Sequence, residues 1–279
     1  MNPASIAGSL ARVRAIARVT WLEAVRQRFF SALLLIGVGG VASGLFFREF
    51  NFGVSELKFI ADFGFGGLTL FGSIVAIVGT AQLFFSDIDN RTVYTVLAKP
   101  VHRGEFLAGK FLGAALVLGV FVGSLGLSIG AVLAWREQAI LETLIDIPDS
   151  PLVSYATVAS LVLLQAVKLA LLAAITLFVA SYARTNLFTV VVCFVVLVIC
   201  HLQPVAQEAW RASAALFPRV MGGALALIFP NFQLFTFGDG PSIDGRIPVG
   251  DVLRVALYGI GYTGVVMSLA IFSFSRREL

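Results

Sequence analysis

Phe111-Leu-Gly-Ala-Ala-Leu-Val-Leu-Gly119-Val-Phe-Val-Gly123-Ser-Leu-Gly126-Leu-Ser-Ile-Gly130-Ala-Val-Leu-Ala-Trp135 contains no charged side chain. As a helix it reaches about 37 Å, more than the ~30 Å hydrocarbon core of a bilayer requires. Lys110 precedes it, Arg136 follows it, and Trp135 suits the headgroup level. Comparable runs extend from Phe29 to Phe47, from Phe63 to Phe85, from Val153 to Tyr182, from Leu187 to Gln203 and from Val255 to Phe274. The run from Leu187 is short but spans at a small tilt. The expectation is an all-α integral membrane protein with six spans, in which residues 1–279 form a single transmembrane domain.

Composition agrees. The chain is 58% hydrophobic and only 13% charged, with a mean hydropathy of +0.94. A soluble domain carries about a quarter charged residues, so most of this surface is not wet. Val41-Ala42-Ser43 resembles a leader cleavage site, but the basic region before it is long for a leader, so the first run is expected to stay as a helix. Cys193 and Cys200 lie about 10 Å apart along one helix, too far for a disulfide, and read as reduced packing residues.

Between the fifth and sixth runs, Pro204 to Arg254 is neither a plain loop nor a full span. Its apolar part, Val220 to Phe229, is too short to cross and stops at Pro230. It reads as a re-entrant or interfacial segment, followed by a wet turn region around Gly238 to Gly250. Basic residues then set the orientation. With a cytoplasmic N-terminus, the inner side holds twelve basic and five acidic residues, and the outer side seven and eleven. That bias places both termini in the cytoplasm. Gly119, Gly123, Gly126 and Gly130 share one face of the third span, and Gly37, Gly40 and Gly44 do much the same in the first. Such faces let helices approach closely, either within one subunit (the favoured reading) or between subunits.

The usual catalytic constellations are missing from the sequence. His102 and His201 fall on opposite sides in this topology, which disfavours a histidine-pair metal site. No acid falls inside an expected span. Gly104-Glu-Phe-Leu-Ala-Gly109-Lys110-Phe111 mimics a phosphate-binding loop, but Phe111 stands where Ser or Thr must hold magnesium, and no strand precedes it. The expectation is a non-enzymatic subunit with no metal, no nucleotide cofactor of its own and no nucleic-acid partner.

Two polar segments invite a role. In Ser86 to Lys110, Ser86 reads as the cap of a short helix with Asp87 and Asp89 in its first turn and Lys99 in its last, before Pro100. Ile88, Val93, Tyr94, Val96 and Leu97 are then available to dock a soluble partner, unless the segment is an ordinary solvated connection. Leu10 to Arg28 carries five arginines and Trp21, and reads as a membrane-surface helix or as a simple positive topology signal.

The stretch Phe85-Ser-Asp87-Ile-Asp89-Asn-Arg91-Thr-Val-Tyr94-Thr-Val-Leu97-Ala-Lys99-Pro100-Val-His-Arg103-Gly-Glu105-Phe-Leu-Ala-Gly109-Lys110 resembles the cytoplasmic loop of type-2 ABC exporter permeases. The arginine-rich start, Phe229-Pro230-Asn231-Phe232 and the ending Ser275-Arg276-Arg277-Glu278-Leu279 agree with it, so the resemblance covers essentially the whole chain. The family includes the permease of the nitrous-oxide-reductase maturation system. The resemblance implies a homodimeric permease in a bacterial-type cytoplasmic (inner) membrane, with two copies of a separate ABC ATPase that binds the ATP. It places Asp87 to Pro100 at the ATPase contact, which includes Tyr94, Leu97 and Lys99, with Asp89 and Arg91 as pairing charges. Asp87 and Asp89 stand where relatives usually carry Glu.

The reading that follows is the permease subunit of an ATP-driven exporter. The rival is a membrane anchor that transmits mechanical change to an extracytoplasmic partner protein and moves no substrate. Lys168 stands out within the fourth run, about 24 Å along the helix from Arg184. A lysine at that depth costs roughly 3 kcal/mol on insertion scales. Three readings stay open: satisfaction by Gln165 and helix backbones, a Lys168–Gln165 lining of the substrate path, or misplaced span ends.

Overall fold

The computed structural model describes residues 3–45, 56–89, 102–142, 152–212, 222–223, 228–236, 245 and 247–276. They form an all-α membrane protein. Helix α1 is Pro3–Arg26 and α2 is Arg28–Ser43, bent by 66° from one another at the extended residue Gln27. Helix α3, Glu56–Ile74, passes through a π turn at Val75–Gly79 into α4, Thr80–Asp89, as one rod of 34 residues. Helix α5 is Arg103–Leu141, α6 is Tyr155–Tyr182, α7 is Asn186–Ala212 and α8 is Val249–Ser275. Five of these, with α3 and α4 counted together, are long and apolar enough to cross a bilayer, and the bent α1–α2 pair makes up to six.

The core follows from where the apolar faces meet. Helix α6 is the most enclosed: Leu164, Leu169, Leu171, Leu172, Ala173 and Ala174 are buried within it. Its widest contact is with α8, and it also meets α5, α7 and α4. Helix α1 lies along the first half of α5, and two glycines make that closeness possible. A Cβ on Gly109 would stand 2.7 Å from Ile16, and one on Gly113 would stand 2.5 Å from Thr20 and 2.9 Å from the Ala17 carbonyl. Arg12 then grips Glu105 with two hydrogen bonds of 2.8 and 2.7 Å. At the opposite end of α5, Arg136 holds Glu56 of α3 in the same two-pronged way, at 2.6 and 3.1 Å.

Four expectations need correction. Ser86 does not begin a helix, because nothing between Phe85 and Asp89 breaks α4; its hydroxyl instead donates to Glu23 at 2.6 Å. The run from Leu187 does not end at Gln203: α7 carries Pro204 within it and continues to Ala212. The run from Phe63 does not mark the start of its helix: α3 begins at Glu56 and includes Asp62. The favoured reading of the glycine stripe on α5 holds only at Gly126, where a Cβ would meet Val162 at 2.7 Å. Around Gly119, Gly123 and Gly130 no described atom lies within 4 Å of that position, so these three make no such close approach within the described chain.

Candidate functional site: a clasped base and a cation-bearing cavity

At the face where α1 meets α5, the first turns of α5 gather several elements. Lys110 is 3% exposed, and its ammonium lies 2.6 Å from Asp87, 3.6 Å from Glu23 and 2.9 Å from the Leu83 carbonyl. A buried ammonium needs such partners, since desolvation alone would expel it. Arg103 donates to the Ser275 carbonyl at 2.9 Å, satisfying a carbonyl left free at the end of α8. The His102 amide donates to Glu105 at 3.2 Å and seals the start of α5. Asp89 and His102, the described residues that flank 90–101 in the sequence, lie at the ends of α4 and α5 that meet in this knot. Asp87 is thus engaged inside the chain, and Asp89 is exposed at the last position of α4. Arg91, Tyr94, Leu97, Lys99 and Pro100, with Val93 and Val96, lie outside the described residues.

The second feature is a cavity of about 860 Å³ bounded by α3, α6, α7 and the short 3₁₀ turn Gln233–Thr236. Helix α7 packs on α4 and on the π turn but parts from α3, and the cleft between them is backed by α6. Lys168 and Gln165 both line it, 1% and 2% exposed, with Lys168 about 20 Å from either end of α6. Gln165 donates to Thr69 at 3.1 Å and does not serve Lys168. The neighbour of Lys168 is His201, at 3.4 Å. The sequence reading set His201 at an outer helix end; the continuation of α7 puts it in the cavity wall instead. Residues 220–227, most of the expected re-entrant segment, lie outside the described residues except for Gly222 and Gly223.

Pro204 explains how the cavity floor is built. Lacking an N–H, it leaves the carbonyl of Cys200, four residues back, without its helical partner. The Phe232 amide occupies that carbonyl at 3.3 Å. Gln233 donates its side-chain amide to the His201 carbonyl at 3.3 Å, and Gln203 donates to the Phe229 carbonyl at 2.9 Å. The segment from Phe229 to Thr236 is thereby pinned against the opened turn of α7. Phe232 and Phe235 are fully buried there, and the Asn231 amide donates to the Tyr258 hydroxyl of α8 at 3.2 Å. Phe232 meets His201 edge to face at 5.7 Å and lies 5.8 Å from the Lys168 ammonium. Thr69, His201 and Phe232 were missed as site residues. The hint was the pair of Pro204 and Phe229-Pro230-Asn231-Phe232, one freeing carbonyls and the other able to use them.

A comparison with curated proteins finds no match. The family model described as "ABC-2 family transporter protein" matches residues 14–279, nearly the whole chain, including α5 with its clasp and α6 with its lysine. A helical membrane bundle matched over that length is a membrane permease component of an ABC transporter, and the chain belongs to the ABC-2 transporter family.

Proposed function

We propose that this chain is the permease subunit of an exporter, paired with a second copy of itself and driven by two copies of a separate ABC ATPase. It lies in a bacterial-type cytoplasmic membrane with both termini on the ATPase side. Family membership implies an ABC ATPase partner in general. The observation that carries the finer reading is the Lys110 clasp, because it ties α1, α4 and α5 at the two ends of residues 90–101. Force on that segment reaches α4 through Asp87 and α5 through His102. Helix α4 runs on through the π turn into α3, one wall of the cavity, so the base and the cavity share a single rod. The cavity, with its buried cation, favours transport over a purely mechanical anchor, and Lys168 and Gln165 line the proposed path.

The test is Arg91→Glu with the partner ATPase co-expressed. Reversal of an interfacial charge costs on the order of 2–5 kcal/mol where the pair is desolvated. Membrane insertion is expected to stay normal while co-purification and permease-dependent ATPase activity fall. Normal co-purification and ATPase activity in that variant would remove Arg91 from the contact.

A further inference from the structure

The cavity leaves a definite set of hydrogen-bonding valences open. His201 Nδ1 lies 3.0 Å from the Leu197 carbonyl, and a carbonyl only accepts. Nδ1 therefore carries the ring proton, and Nε2 is the bare acceptor that faces Lys168 at 3.4 Å. Lys168 spends one of its three protons there. Among the described residues no acid pairs with it and no other atom accepts from it. Phe232 offers its ring to the charge at 5.8 Å but takes no proton.

Gln165 completes the set. The single Thr69 proton goes to the Phe65 carbonyl at 2.9 Å, so Thr69 must accept from Gln165, 3.1 Å away. That fixes the amide with its Nε2 toward Thr69 and leaves Oε1 as the free end. Oε1 is buried and has no partner among the described residues. An unpartnered buried acceptor costs about 1–3 kcal/mol, so it marks a place where a donor belongs. Gln165 and Lys168, three residues apart, share one face of α6. The α6 wall of the cavity thus carries a charged donor near a buried neutral acceptor.

The remaining wall is mostly apolar: Leu70, Ile74, Leu161, Phe194 and Val198. Leu70 and Val198 are also more than half exposed, on the two helices that part from one another, so the apolar wall is continuous with the bilayer-facing surface. Asp62, the one acid of the lining among the described residues, is exposed at the rim, about 10 Å along α3 from Thr69. A cation would meet Lys168 with like charge. A small hydrophilic anion would gain nothing from the apolar wall.

We propose that the cavity binds an amphiphile with an anionic head that also carries an O–H, seated between Lys168 and Gln165, and an apolar body that leaves through the cleft between α3 and α7. This rests on reading the cavity as part of the substrate path. A monoalkyl phosphate has that chemistry: oxyanions accept from the ammonium and the P–OH donates to Gln165.

The test titrates the full-length chain, purified in an uncharged maltoside detergent, with dodecyl phosphate, inorganic phosphate and dodecyl trimethylammonium, and reads complexes by native mass spectrometry. Dodecyl phosphate is expected to bind and the other two are not. Lys168→Met is expected to weaken it about 10- to 100-fold, the loss of a charge-assisted hydrogen bond, and Lys168→Arg to restore most of the binding. Because Lys168→Met can disturb folding, Gly66→Phe serves as a second variant. It lines the cavity, and nothing lies within 4 Å of its Cβ position, so the ring enters empty space and blocks the cleft with Lys168 intact. Binding of inorganic phosphate or of the trimethylammonium probe as tightly as dodecyl phosphate overturns the proposal, as does indifference to Gly66→Phe. No ATPase is present in this assay. Its failure with the Arg91 coupling intact removes the substrate class alone, and the reverse pattern removes the coupling reading alone.

Discussion

Replacing Lys110 with methionine keeps most of the apolar stem and removes the ammonium that ties three helices together. Removal of one partner from a fully buried pair costs about 3–5 kcal/mol, because the other charge stays behind. Asp87 and Glu23 retain 21% and 31% exposure, so water recovers part of that loss, and the discounted figure is about 2–3 kcal/mol. The lost bond to the Leu83 carbonyl belongs to the same ammonium and is not counted again. A chain of this size should lose roughly 5–10 °C of thermal midpoint in a fixed detergent. The sharper assay is a double-mutant cycle with Asp87→Asn. With Asp87 already neutral, Lys110→Met should cost at least ~1 kcal/mol less than in the native background. Additivity within about 0.5 kcal/mol would mean that the 2.6 Å pair carries no energy, and the clasp argument would fail with it.

Gly109→Leu should separate α1 from α5, since its Cβ has only 2.7 Å to Ile16, at a cost of about 1–3 kcal/mol. Gly119→Leu enters open space and should leave the isolated chain within about 0.5 kcal/mol of native, so equal melting losses for the two variants would refute the packing assigned to α1. Pro204→Ala supplies an amide that competes with Phe232 for the Cys200 carbonyl, and should raise thiol labelling of a cysteine placed at Gln233; unchanged labelling would mean that Pro204 does not hold the segment. Single cysteines at Ser150 and Asp244 are expected to label from outside intact cells, and labelling only after permeabilisation would reverse the orientation.

Much of the fold was legible because lipid makes the rule simple: an uncharged run long enough to span becomes a helix. The α5 run and the lysine in the middle of α6 could be read that way. What could not be read were helix ends without a charge change. Phe85 to Asp89 continue α4 because no residue there breaks a helix, and the polar character of Ser86 and Asp87 reflects tertiary partners, Glu23 and Lys110. Pro204 misled in the opposite direction. Proline ends helices in water, where the freed carbonyl is solvated; here the Phe232 amide replaces the missing donor, and the helix goes on. The partner of Lys168 was hidden for the same reason. His201 enters the wall only if α7 passes Gln203, and no local pattern around His201 signals that it does.

The π turn at Val75–Gly79 sits where these two halves of the molecule join. It lies between the clasped α4 and the cavity-lining α3, and it is where α7 stops following the rod. Hydrogen bonds that skip five residues widen the helix locally, so α3 and α4 can differ in direction while the ladder stays closed. A sharp kink would expose backbone groups to hydrocarbon, at several kcal/mol each, whereas a π turn does not. About 37 Å of helix separates Asp87 from Asp62. In the proposed coupling, a tilt of α4 at the base would be delivered to α3 as a change in the width of the α3–α7 cleft. Lys168 and Gln165 stand on α6, the most enclosed helix, so the wall carrying Thr69 would move relative to them. The Gln165–Thr69 bond is the contact such motion would break first, since among the described residues it alone of the cavity's hydrogen bonds bridges α6 to the α3–α4 rod.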